Sequence, residues 1–61
     1  DAVELYRLRA AECEKLATTA ISDDHRQRIL ELAASWLALA NQREALLQRL
    51  DMQSLRVAAR S

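Results

Sequence analysis

The fold is decided by residues 29–57, which read ILELAASWLALANQREALLQRLDMQSLRV. One heptad-like row advances through this stretch in alternating steps of four and three residues, and neither Gly nor Pro interrupts it. Such steps keep a row on one side of an α-helix. The pattern predicts a single long helix that needs a packing partner along its length. The row consists of Ile29, Ala33, Trp36, Ala40, Arg43, Leu47, Leu50, Ser54 and Val57.

A shorter row with the same spacing precedes the long one. It predicts a first helix over about residues 2–20, a turn at 21–22 and a second helix over about 23–59, so that residues 1–61 form one helical-hairpin module. Ser22 is placed to cap the second helix, and Asp24 stands four residues before Arg28 in the favourable order for an ion pair. The members of the short row are Val3, Tyr6, Ala10, Cys13, Ala17 and Ala20.

The composition points to the same fold class. The chain has 61 residues, of which 51% are apolar, with no Gly, no Pro and only two aromatic residues. Strand-joining turns rely on Gly and Pro, and strands favour β-branched and aromatic residues, which are scarce here. We therefore predict an all-α fold, a helix-turn-long-helix hairpin with heptad-like packing.

The unequal helix lengths predict self-association. At about 1.5 Å per residue, the first helix is about 28 Å long and the second about 54 Å, so roughly half of the second helix overhangs. We expect a homodimer or a higher homo-oligomer, and we favour an antiparallel dimeric helical bundle with its two-fold axis near Arg43; a parallel pairing remains the alternative. The residues predicted to mediate self-association are Trp36, Ala40, Leu46, Leu47, Leu50 and Val57.

No arrangement of reactive residues predicts catalysis. Cys13 lies in the short apolar row, where a Cys commonly packs as a small apolar residue, and His25 is expected at the solvated start of the second helix, away from that thiol. Asp23, Asp24 and His25 are adjacent in sequence and so point in different directions on a helix, whereas metal ligands on one helix need steps of three or four. We expect no enzyme activity, no cofactor and no metal.

The charge pattern offers an alternative function. Nine basic residues balance nine acidic ones, so the chain as a whole does not attract nucleic acid or an anionic membrane. Arg49, Arg56 and Arg60 nevertheless form a stripe opposite the apolar one, which is compatible with a small nucleic-acid-binding regulator that contacts phosphates. No aromatic residue on the stripe can stack on a base, and a solvated face is the commoner explanation. The sequence has no apolar run long enough for a membrane span, and a lone Cys is typical of a reducing cytoplasm.

Two segments resemble a group of short bacterial helical-hairpin proteins. They are YRLRAAECEKLA at residues 6–17 and LELAASWLALA at residues 30–40, which fit the pattern Y-R-x-R-A-x-E-C-x-x-L-A followed by L-x-L-A-x-x-W-x-x-L-A. The resemblance covers about two thirds of the chain with Arg26 included, and it implies a helical hairpin and a bacterial cytoplasm but no particular activity. Many members carry Asp-Pro at the turn, where this chain has Ser22-Asp23.

Overall fold

The computed structural model describes residues 1–60 as two helices packed against each other. Helix α1 spans Ala2–Ala17 and helix α2 spans Asp23–Arg60, with no strand within this range. The two helices form an elongated hairpin that measures 60 × 16 × 10 Å. The predicted all-α hairpin is therefore confirmed.

Helix α1 ends three residues earlier than the sequence pattern predicted. The Asp1 side chain accepts a hydrogen bond from the Glu4 amide at 2.8 Å and so caps the start of the helix. At the other end, the amides of Thr18 and Thr19 bond to carbonyls three residues back, and their hydroxyls donate to the same carbonyls, at 2.7 and 3.1 Å. Bonds to the carbonyl three residues back replace the α-helical bonds to the carbonyl four residues back, so the α-helix ends here. The predicted bounds of 2–20 and 21–22 are thus corrected to Ala2–Ala17 and a connection over 18–22.

The start of α2 confirms the predicted cap. The Ser22 hydroxyl accepts a hydrogen bond from the His25 amide at 3.1 Å, and Asp24 lies 3.1 Å from Arg28. Arg26 ties the two helices together at this end, because its Nε donates to the carbonyl of Ala17 at 3.2 Å. The Ala17 carbonyl at the end of α1 thus accepts from both Arg26 and the Ala20 amide, the latter at 3.3 Å.

The contact between the helices is built from small side chains. Ala10 and Ala40 retain 1% and 0% of their accessible surface, so both are enclosed where the helices meet. Cys13 is also buried, as predicted. Among the described residues no large side chain is fully buried. The other buried residues are Val3, Ala17 and Ala33.

The C-terminal part of α2 continues well beyond the N-terminal end of α1. Two contacts between the helices together limit their register: the ion pair between Arg7 and Glu44, and the stacked rings of Tyr6 and Trp36. Averaged over the two contacts, Ala2 lies at about the level of residue 45, so residues 48–60 extend beyond α1. Every residue from 45 to 60 is exposed. We call residues 48–60 the overhang.

Candidate self-association surface

The hairpin has two different long sides. On one side, the rings of Tyr6 and Trp36 stack with their centroids 5.9 Å apart and an angle of 30° between their planes. Both residues are only partly buried. The Arg7–Glu44 ion pair occupies the opposite side, since helical geometry places these two residues on the other flank of the buried row of each helix. We refer to these as the aromatic side and the ion-pair side.

An apolar strip runs along α2 on the aromatic side. Its members follow the 3-4 spacing of a heptad seam together with Trp36, Arg43 and Gln53, and they keep between 43% and 68% of their accessible surface. Next to the stacked rings, Tyr6 and Leu39 line a shallow open groove whose far end is formed by Arg43 and Leu46. The members of the strip are Leu32, Leu39, Leu46, Leu50 and Val57.

The ion-pair side of α2 is less continuous. Leu37 and Leu55 are exposed there at 39% and 65%, but Glu44, Gln48 and Asp51 fall between them. Buried charges need partners, so this side is poorly suited to apolar packing over its whole length. The aromatic side is the better candidate surface.

The structure divides the predicted self-association residues into two groups. Ala40 has no exposed surface and packs between the two helices of its own hairpin, where a second chain cannot touch it. Trp36 is partly exposed beside Tyr6, and the remaining four residues are exposed along α2. Tyr6 and Leu39, which line the groove on this side, were not among the predicted residues, although Leu39 belongs to a second apolar row that the sequence already shows. The four exposed residues are Leu46, Leu47, Leu50 and Val57.

The arginine stripe lies away from both helix contacts. Arg49, Arg56 and Arg60 are exposed on the outer face of α2, about 10 Å and 6 Å apart along the axis. Arg56 borders a shallow surface depression together with Arg49 and a second one together with Arg60, and Gln53 lines both. Within residues 1–60 none of the three forms an ion pair.

The reactive side chains are not brought together. Cys13 is buried in the helix contact, and His25 is exposed in the first turn of α2. Arg9 pairs with Glu12 on its own helix at 3.0 Å rather than with α2. Across the described part of the chain, no three His, Cys, Asp or Glu side chains lie close enough together to hold a metal ion. Neither α1 nor α2 contains a stretch with the length and apolarity that crossing a membrane requires.

The fold and its surface define the class as an all-α helical hairpin with an apolar overhang. Comparisons with protein-family models, with curated proteins and with solved structures found no match.

Proposed function

We propose that this chain is a small structural and protein-interaction module that self-associates through α2. The favoured assembly is an antiparallel homodimer, a compact helical bundle in which the overhang of each chain lies against the hairpin of the other. The observation that carries the proposal is the excess of accessible surface on the single chain.

The excess surface can be compared with what a dimer buries. The chain exposes 5141 Å², whereas a compact monomer of 6.9 kDa exposes about 4,000 Å². The difference of about 1,100 Å² is close to the ~800 Å² per partner that a stable interface buries. The radius of gyration of 16.9 Å likewise exceeds the ~10.5 Å of a compact domain of this length. A second copy would cover the surface that one chain leaves in water.

The small core of the hairpin also supports the proposal that a second chain binds. The buried residues between the helices are Val, Ala and Cys, so the hairpin alone draws little stability from apolar burial. Chains of this size usually gain stability from a disulfide, a metal or another chain. An isolated helix of about a dozen residues, the length of the overhang, is marginal in water. Packing against a second copy would stabilise it. The single buried thiol is compatible with the reducing bacterial cytoplasm that we propose as its compartment.

Sedimentation equilibrium of the unmodified chain tests the proposal. We expect a mass of two chains that persists over a hundredfold dilution before it dissociates, with helix content by circular dichroism falling as the dimer dissociates. A mass of one chain and unchanged helicity at every concentration would contradict it.

One observation favours a second candidate, a small nucleic-acid-binding regulator. The three arginines of the stripe are exposed and without ion pairs among the described residues, as a phosphate-binding surface would require. In an antiparallel dimer the stripe would occur twice. Retention on DNA or RNA at low salt, lost when Arg49, Arg56 and Arg60 are all replaced by Ala, would support this function. An unmodified chain that passes through such a column without delay would exclude it.

A further inference from the structure

The aromatic side offers a defined place for the overhang of a second copy. We infer that the overhang of one chain lies in the groove between α1 and α2 of a second copy, on its aromatic side and antiparallel to its α2. This inference rests on the proposed self-association and adds the face, the register and the contacting residues.

The groove has the shape and chemistry that an amphipathic helix needs. Tyr6, stacked on Trp36, lines it together with Leu39 and Leu46, and exposed Leu32 lies one turn beyond Trp36 on the same side of α2. On α1, helical geometry places Leu16 on the same side, where it is 60% exposed. Three apolar surfaces therefore converge where a third helix would lie, which is the packing of one helix against a helical pair.

The burial pattern selects the seam of α2, and we choose the register that pairs the leucines of the groove with the apolar residues of the overhang. Ala40 is inaccessible, so the seam of α2 that meets a second copy follows Leu39 instead. In an antiparallel pair this places Leu39 opposite Leu50 and Leu32 opposite Val57 of the second copy. The two-fold axis then lies between Glu44 and Ala45, shifted from the position near Arg43 that the sequence pattern predicted.

This register also gives polar groups suitable neighbours. Trp36 lies opposite Gln53 of the second copy, whose amide oxygen can accept a hydrogen bond from the indole N–H. Asp51 of the second copy lies opposite Ala38 of α2, at about the level of Arg9, on the edge of α1 that borders the groove. Arg9 is half exposed, so it can turn from Glu12 toward that carboxylate. The one carboxylate of the overhang thus lies near a basic residue at the rim of the groove.

The length of the overhang matches the length of the groove. Residues 48–60 extend about 19 Å, and α1 is about 24 Å long, so the overhang fits alongside α1 without leaving a second exposed end. Each end of the dimer becomes three helices thick: α1, the first half of α2, and the overhang of the other chain.

Disulfide cross-linking between two variants tests the face and the register. In a Cys13→Ser background, Leu39→Cys chains are mixed with Leu50→Cys chains and oxidised with glutathione. The matched control mixes Leu37→Cys with Met52→Cys, which lie at the same level but on the ion-pair side. We expect a mixed disulfide dimer from the first mixture at least tenfold faster than from the control, and little cross-linking of either single variant alone.

The other outcomes of the cross-linking experiment show whether the face and register or the self-association itself is wrong. Faster cross-linking of the control mixture would place the second copy on the ion-pair side, and cross-linking of Leu50→Cys chains with each other would indicate a parallel pair. Either result overturns the inference while the proposed self-association stands. A dimeric mass without any cross-link would also contradict the inferred face and register. A monomeric mass without any cross-link would defeat both proposals.

Quenching of Trp36 fluorescence in the unmodified chain provides a test without substitution. We expect the quenching constant for acrylamide to fall at least twofold as the concentration rises through the dissociation constant, because the overhang of the second copy covers the indole. A constant that stays unchanged while the mass doubles would show that the interface lies elsewhere.

Discussion

Replacing Leu50 with Asp should dissociate the dimer, while the same change at Met52 should not. Leu50 lies in the overhang on the aromatic side and is 50% exposed on the single chain. Met52 is 58% exposed and lies on the other side of the same helix, two residues away. The two variants carry the same new charge in the same part of α2, so a difference between them reports the face that is covered.

The size of the effect follows from the exposed half of the leucine. Full burial of Leu contributes about 1.5–3 kcal/mol, so the exposed half contributes about 1 kcal/mol in each chain. A carboxylate placed at the same site adds at least ~1–3 kcal/mol for an uncompensated polar group. Because each dimer contains two such sites, the loss is about 4 kcal/mol or more. The dissociation constant should rise about a thousandfold.

Sedimentation equilibrium measures the dissociation constants, and circular dichroism shows whether each variant still forms helices. We expect Leu50→Asp to be monomeric at concentrations where Met52→Asp remains dimeric within about threefold of the unmodified constant. Equal dissociation constants for the two variants would refute the assignment of Leu50 to the interface.

Three further substitutions test separate parts of the structure. Ala40→Leu should lower the free energy of unfolding by about 1–3 kcal/mol in urea titrations, because Ala40 has no accessible surface and a larger side chain has no space there, whereas exposed Ala38→Leu should change it by less than about 0.5 kcal/mol; equal effects would mean that Ala40 is not enclosed in the helix contact. Arg43→Leu should tighten the dimer about tenfold or more in sedimentation experiments, since two like charges near the two-fold axis are removed; weaker association would show that Arg43 has a partner across the interface. Arg26→Ala should lower the melting temperature more than Arg28→Ala does, because only Arg26 bonds to a carbonyl at the end of α1, and we expect about 1 kcal/mol for that bond, reduced by its partial exposure; the reverse order would contradict the role of Arg26 in joining the helices.

The fold could be predicted from the sequence because it depends on local sequence patterns. The 3-4 spacing of the apolar rows and the absence of Gly and Pro are sufficient for two helices. Ser22 follows the capping rule and so marks the start of α2 correctly. The end of α1 was harder to predict, because Thr18 and Thr19 are tolerated in a helix. The hydrogen bonds from their hydroxyls to backbone carbonyls, which accompany the end of the helix, are not visible in a sequence pattern.

The candidate surface could be predicted only in part from the sequence, because the long row on α2 serves two purposes. Its first half, including Ala40, is used to pack α1, while Leu47 and Leu50 lie where α1 gives little or no cover. A helical pattern does not say which of two neighbouring rows is left for a second chain. The structure shows which row it is: α1 covers the row containing Ala33 and Ala40, and the row containing Leu39 stays exposed.

Hydrogen–deuterium exchange of the unmodified chain tests the central claim most directly, because it reports both association and its location. Amides within residues 48–60 should exchange rapidly in dilute solution, where the overhang lacks support, and should become at least tenfold more protected over a hundredfold rise in concentration, in step with a doubling of the mass. Amides of residues 29–44 already belong to the hairpin and should change less. Overhang amides that exchange equally fast at every concentration while the mass doubles would contradict association through this segment, and the same exchange with an unchanged mass would contradict self-association altogether.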